Sequence, residues 1–360
     1  MRVDAIDIAR ALAIIGVVFN HSIDGMSSSG FLDERSWLSE INQALYVVRM
    51  PALAFLLGLF IPAALSKRGP TGYLRERLTF AIYIYVIWFF IQMIVEILTS
   101  SLKNNPRPVL DLIQIWSMPA HLWFLPYIAV STLVIVSVRV RDSHLAAKMI
   151  LIVIATVSVL AWGWNPNIFG LRGLSILIFT ALGAHIGLEK MGTMLKLGVG
   201  TWCLAGGIGL VGFLVLYHLG AVPGTQNVPR EAGLSFAESS VVGIASAGGA
   251  LLGIVTLLAI AAVLSRVPFL RTALQRVGRA TLPIYLAHIL VVSGTRIALE
   301  EMGVTSIFIV LTILLGLGLI LPILLLHLTD RWHHEWLFHV PGLLGTWSRA
   351  ANSPRGKRSY

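Results

Sequence analysis

A chain of 360 residues that is 56% hydrophobic and only 12% charged, with a mean hydropathy of +0.82, holds more apolar side chain than a soluble domain can bury. That composition points to a polytopic membrane protein and excludes a soluble enzyme. The net charge of +10 does not point to nucleic acid, because the basic residues fall in short segments between apolar runs, where orientation in a bilayer accounts for them. The single cysteine, Cys203, lies within an apolar run and so excludes an internal disulfide and a thiolate-built zinc cluster.

Taken in order, Arg2 precedes an apolar core without a small-residue cleavage signature, which reads as a retained signal-anchor. Hydropathy and breakers then predict spans at about 8–23, 42–66, 78–100, 121–138, 149–164, 171–188, 197–218, 240–264, 281–299 and 304–328. The expected fold is therefore an all-α, polytopic transmembrane helical bundle of about ten spans. The fifth and sixth spans are divided by Gly163-Trp-Asn-Pro-Asn-Ile-Phe-Gly170, a Pro- and Gly-marked outer turn. Segments 24–41, 101–120 and 219–239 are the largest outer loops. The mixture of aromatic and charged residues in Arg331-Trp-His-His-Glu-Trp-Leu-Phe-His339 predicts an interfacial helix, followed by a basic tail. Residues 1–330 thus read as one membrane domain and 331–360 as its cytoplasmic appendage.

With the N-terminus inside, nineteen of the 27 basic residues fall on inner segments. Arg35, Lys103, Arg107 and Arg230 fall outside, and four lie within spans. Short basic loops stay cytoplasmic, so both termini are expected on that side, in an inner (plasma) membrane.

The first span is the least suited to lipid. Arg10 and His21 are eleven residues apart, about three turns and ~16 Å of rise, and so share a face at different depths. Ionisable groups in a span are costly unless they face the protein interior or a water-filled cavity. Singly, each has a simpler account, Arg10 as a snorkelling anchor and His21 as a helix end. Together they form a polar track.

Four more stretches accompany that track: Arg49-Met-Pro-Ala-Leu-Ala-Phe-Leu-Leu-Gly58, Tyr73-Leu-Arg-Glu-Arg-Leu78, His121-Leu-Trp-Phe-Leu-Pro126 and Leu282-Pro-Ile-Tyr-Leu-Ala-His288. With Arg10 and His21, in this order, the chain resembles acyltransferase family 3, a family of integral membrane acyltransferases. The family signature Arg-x10-His corresponds to Arg10 and His21, and its arginine-rich stretch before the third span to Arg75 and Arg77. The chain departs from the common pattern at Leu57-Gly58, where many members have Ser-Gly, and at Arg10-Ala11, where many have Arg-Gly.

The resemblance implies transfer of an acyl group, commonly acetyl, from cytoplasmic acyl-CoA to a hydroxyl on a carbohydrate or glycolipid acceptor. Such transfer requires a base, donors for the developing oxyanion, and positioning. His21 is the candidate base, with a pKa range suited to the task. Asp24, one turn on, is placed either to orient its ring or as a solvated helix end. Asp7 either pairs with Arg10 at i,i+3 or caps the helix. Arg10, Arg75 and Arg77 are candidates for the coenzyme A phosphates.

His121, Trp123, Tyr285 and His288 are candidates for lining the acceptor side, with interfacial anchoring and interhelical hydrogen bonding as the competing accounts. Glu96 and His185 admit both readings. No grouping has metal-ligand spacing and no Gly-rich phosphate loop is present, so no metal is expected. The competing function is a secondary transporter or flippase that binds substrate or protons at Arg10, His21, Glu96 and His288.

Overall fold

The computed structural model describes residues 4–100, 108–117, 121–138, 145–166, 168–226, 233 and 235–341. Arg2, Lys103, Arg107, Arg139, Arg141, Arg230 and the basic residues of the 342–360 tail lie outside them. The described residues form ten α-helices and no strand: α1 (Asp4–Ser28), α2 (Trp37–Leu98), α3 (Phe124–Ser137), α4 (Leu145–Leu160), α5 (Leu177–Met194), α6 (Val199–His218), α7 (Phe236–Leu264), α8 (Pro268–Arg279), α9 (Thr281–Glu301) and α10 (Ile307–Arg331).

All ten predicted segments fall on helices, but helices and segments do not correspond one to one. Seven helices are long and apolar enough to cross a bilayer, and α3 and α4 are shorter. The second and third predicted segments both lie on the 62 residues of α2. A single span needs only ~20 residues. The helix breaks at Gly69, whose φ of 70° and ψ of 165° are open to glycine and not to a helix, immediately before Pro70.

α1 lies at the centre, packed against α2, α7, α8, α9 and α10. About two thirds of its most apolar stretch is buried, against 17% for α6. The placement follows from composition. α1 carries Asp7, Arg10, Asn20 and His21, which must be shielded from hydrocarbon, while α6 exposes Leu204, Ile208 and Val211 and loses nothing by facing it.

Close helix approach depends on small residues where side chains would separate the backbones. A Cβ on Gly58 of α2 would lie 2.2 Å from the Thr180 carbonyl oxygen of α5, and one on Gly183 would lie 2.1 Å from that of Phe55. Gly58 therefore has a packing role even though Leu57 stands before it.

Two segments differ from expectation. The segment holding Arg266, Arg271, Arg276 and Arg279, expected from charge to face inward, contains the amphipathic helix α8, started by Pro268 at its first turn. α8 lies against α1 so closely that a Cβ on Gly278 would clash with the Asp7 carbonyl. The predicted interfacial helix over 331–339 is absent. α10 ends at Arg331, His333 takes a left-handed φ of 58°, and one 3-10 turn, Glu335–Leu337, brings the chain back. Phe338 is then 1% exposed, with its ring 5.6 Å from that of Trp88, whose Nε1 donates to the Leu337 carbonyl at 2.8 Å. Burying Phe338 in the protein outweighs laying this short segment along a membrane surface.

Candidate active site

Three histidines from distant parts of the chain meet beside α1. His21 comes from α1, His288 from α9, and His121 from the turn leading into α3. Their ring centroids are 5.1 Å apart for His21–His288, 5.1 Å for His121–His288 and 6.1 Å for His21–His121. His288 and His121 are buried, whereas His21 is half-buried and is the most exposed of the three.

Local structure fixes two of the rings. His288 Nδ1 lies 2.8 Å from the carbonyl oxygens of both Ile284 and Tyr285. Carbonyls only accept, so Nδ1 carries the proton, and in the neutral ring Nε2 carries the lone pair. The Tyr285 hydroxyl donates to the His121 backbone carbonyl, and the two rings meet edge to face at 5.3 Å. Tyr285 and His288, one turn apart on α9, thereby anchor both the third histidine and their own pair. Trp123 is buried between Phe124 and Tyr127, with the Arg172 guanidinium 5.5 Å from its ring.

His288 Nε2 is buried with no hydrogen-bond partner, and the buried ring nitrogens of His121 have none beyond a backbone interaction with Leu286. Buried polar atoms left unmet cost about 1–3 kcal/mol each, and such a concentration in one place marks a site prepared for a polar ligand. Among the described residues, no group of three or more His, Cys, Asp or Glu side chains is arranged to hold a metal ion.

Asp24 is exposed, and its carboxylate accepts from Asn42 Nδ2 at 2.9 Å; no hydrogen bond joins it to His21. Asn42 Oδ1 in turn accepts from Arg49 Nη1 at 3.1 Å, and Asn20 Oδ1 accepts from Arg49 Nη2. Sequence reasoning assigned no role to Arg49, Asn20 or Asn42. The available signal was an arginine twelve residues into an apolar helix.

Toward the other end of α1, half-buried Arg10 is within electrostatic range of Asp7 and of half-buried Arg77, with the Phe60 ring 6.0 Å from its guanidinium carbon. Arg75 is exposed on the same turn as Arg77. The Asp7 carboxylate also lies 3.5 Å from Arg279 Nε of α8. Glu96 accepts from Gln92 on its own helix, and His185 is exposed on α5.

These features define an all-helical membrane protein in which three histidines from distant segments meet beside one central helix. The chain belongs to acyltransferase family 3: the family model described as "Acyltransferase domain" matches residues 3–327. No curated protein and no solved structure matches it.

Proposed function

We propose that this membrane acyltransferase moves an acyl group, acetyl in the simplest case, from cytoplasmic acyl-CoA to a hydroxyl of an extracytoplasmic or membrane-associated carbohydrate or glycolipid. In this reading the chain crosses an inner (plasma) membrane ten times, with both termini cytoplasmic. The observation that carries it is the triangle of His21, His121 and His288, which has one half-open imidazole and buried ring nitrogens without side-chain partners. An acceptor with several hydroxyls supplies donors for the ring lone pairs and an oxygen for the His121 N–H.

His21, the accessible ring, takes the acceptor proton. The freed oxygen pair forms a C–O bond to the thioester carbon while the carbonyl π pair moves onto oxygen. Collapse restores C=O and breaks C–S, and the departing thiolate recovers the proton from the His21 imidazolium. His288 Nε2 accepts from a neighbouring hydroxyl of the acceptor, the His121 N–H donates to one of its oxygens, and Trp123 and Tyr285 wall the site. His21 takes its orientation from the other two rings, and Asp24 acts elsewhere. Arg10 and Arg77 receive the coenzyme A phosphates by charge-assisted hydrogen bonds, with exposed Arg75 at the entrance. The ~16 Å between Arg10 and His21 matches an extended pantetheine arm.

The test is thiol release from acetyl-CoA by the purified protein in bilayer nanodiscs, together with mass spectrometry of envelope glycans and lipids with and without the protein. Ester formation with loss of one acyl mass in the deletion is expected. Substrate movement across the bilayer with no ester formed would establish the transporter or flippase reading instead.

A further inference from the structure

Arg49 of α2 is 4% exposed, and the groups that touch its cation directly are neutral. Two amide oxygens, from Asn42 and Asn20, accept from its two terminal nitrogens, and the Tyr46 ring lies 3.8 Å from its guanidinium carbon. Among the described residues no carboxylate pairs with it directly. Asp24 lies within electrostatic range of it and is linked to it through the amides of Asn42 and Asn20 rather than by direct contact. A guanidinium inside a membrane domain is costly, and costlier still without a counter-ion at contact distance. Stability alone would favour an apolar residue here, or a carboxylate in place of one asparagine.

Its placement explains why the charge is kept. Arg49 packs on the α1 face formed by Gly16 and Asn20. A Cβ on Gly16 would lie 3.7 Å from Arg49 Cβ, at ordinary contact distance, so the arginine stem lies directly over this part of α1. Asn20 is adjacent in sequence to His21, and the guanidinium is within electrostatic range of that imidazole. Two asparagines hold the fork in one orientation from opposite sides without neutralising it. A preorganised, undercompensated cation beside the proposed base is what a reaction that creates transient negative charge requires.

We infer that Arg49 stabilises the oxyanion formed when the acceptor oxygen adds to the thioester carbonyl, and that Asn20 and Asn42 are positioning residues that aim its guanidinium. The inference rests on the acyl-transfer reading. It makes Asp24 a partner of Asn42 that steadies the network, remote from the proton transfer itself. Charge moves within the set already described: the carbonyl π pair goes to oxygen, is held by Arg49, and returns as C–S breaks.

The experiment compares the full-length chain with Arg49→Met, Arg49→Ala, Asn20→Ala and Asn42→Ala in nanodiscs. Acetyl-CoA is the donor, and water or an envelope lipid extract the acceptor. Wild-type thiol release establishes acyl transfer, and its absence would sink that reading before Arg49 is in question. With an active wild type, Arg49→Met is expected to lower kcat ~100-fold or more for both acceptors with the acetyl-CoA KM little changed, as for loss of one oxyanion donor. Ethylguanidinium is expected to restore part of the activity of Arg49→Ala. Should the Arg49 variants fail to insert, Asn20→Ala and Asn42→Ala, which keep the charge but release its aim, are expected to lose ~10-fold in kcat. Wild-type kcat in Arg49→Met, or in both asparagine variants, overturns the inference. So does a loss confined to the KM of the lipid acceptor with water turnover intact, which would make Arg49 a binding site for an anionic group on that acceptor.

Discussion

The hydroxyl of Tyr285 donates to the backbone carbonyl of His121, so the helix that carries His288 also holds the loop that carries His121. Removing this bond leaves the His121 carbonyl with only the long 3.5 Å bond from the Phe124 N–H, at a cost of about 1 kcal/mol. Tyr285→Phe keeps the ring and its edge contact with His121, so the protein is expected to insert normally. Acyl transfer should fall by about 10-fold through misplacement of one ring of the triangle. Thermal unfolding in detergent and thiol-release kinetics check the two effects separately. Unchanged turnover would show that His121 is placed by other contacts.

His21→Ala is expected to lower transfer by at least ~100-fold, the usual range for a lost general base, without weakening donor binding. His288→Ala and His121→Ala should raise the acceptor KM and lower kcat less steeply. Steady-state kinetics on correctly inserted protein decides. Near-normal turnover in His21→Ala, with loss in His288→Ala, would move the base to His288, whose Nε2 lone pair is free of the backbone carbonyls.

The Arg10 end of α1 separates arginines that sequence position treats alike. Arg10 and Arg77 converge half-buried, and Arg75 is exposed two residues away. Arg10→Ala and Arg77→Ala should each weaken acetyl-CoA binding by ~10-fold or more, and Arg10→Lys should recover part of that loss. Arg75→Ala should change it less than threefold, because an exposed charge is screened. Titration of acetyl-CoA by calorimetry reads this order, and a larger effect at Arg75 than at Arg77 would contradict it.

Gly58 meets the α5 backbone with no room for a methyl group. Gly58→Ala is expected to destabilise by about 1–3 kcal/mol through overpacking, whereas Leu57→Ser, beside it on a half-buried position, should be tolerated far better. A lowered unfolding temperature for the first and a near-native one for the second is the expected pattern. Equal stability would mean that α2 and α5 separate freely.

The charge bias predicts that cysteine labelling finds positions 75, 141 and 276 inside and 103 and 230 outside. Labelling of 276 and 230 from the same face would overturn the ten-crossing topology proposed above.

Hydropathy is local, and it was enough to locate every apolar helix, because a bilayer requires each span to satisfy its own backbone and to be apolar along its length. The polarity of α1 was legible for the same reason, since Arg10 and His21 are anomalies within one window. Motif order also pointed to His121, Tyr285 and His288. Their meeting was not legible, because residues 21, 121 and 288 come together only when α1, α9 and the turn before α3 pack, and spacing along a chain carries no distance across it. Arg49 looked like one more charge in a span until folding set it between Asn42 and Asn20, 29 residues away in sequence. Asp24 is close to His21 in sequence, yet its carboxylate found the amide of Asn42 instead. α8 escaped a span-length hydropathy window because its arginines cancel its apolar face over twelve residues. Segment 331–339 has a composition that suits a membrane surface and a protein groove equally. A hydrogen bond to Trp88, 249 residues away, selected the groove, and burial of Phe338 is a tertiary free energy that no window of sequence contains.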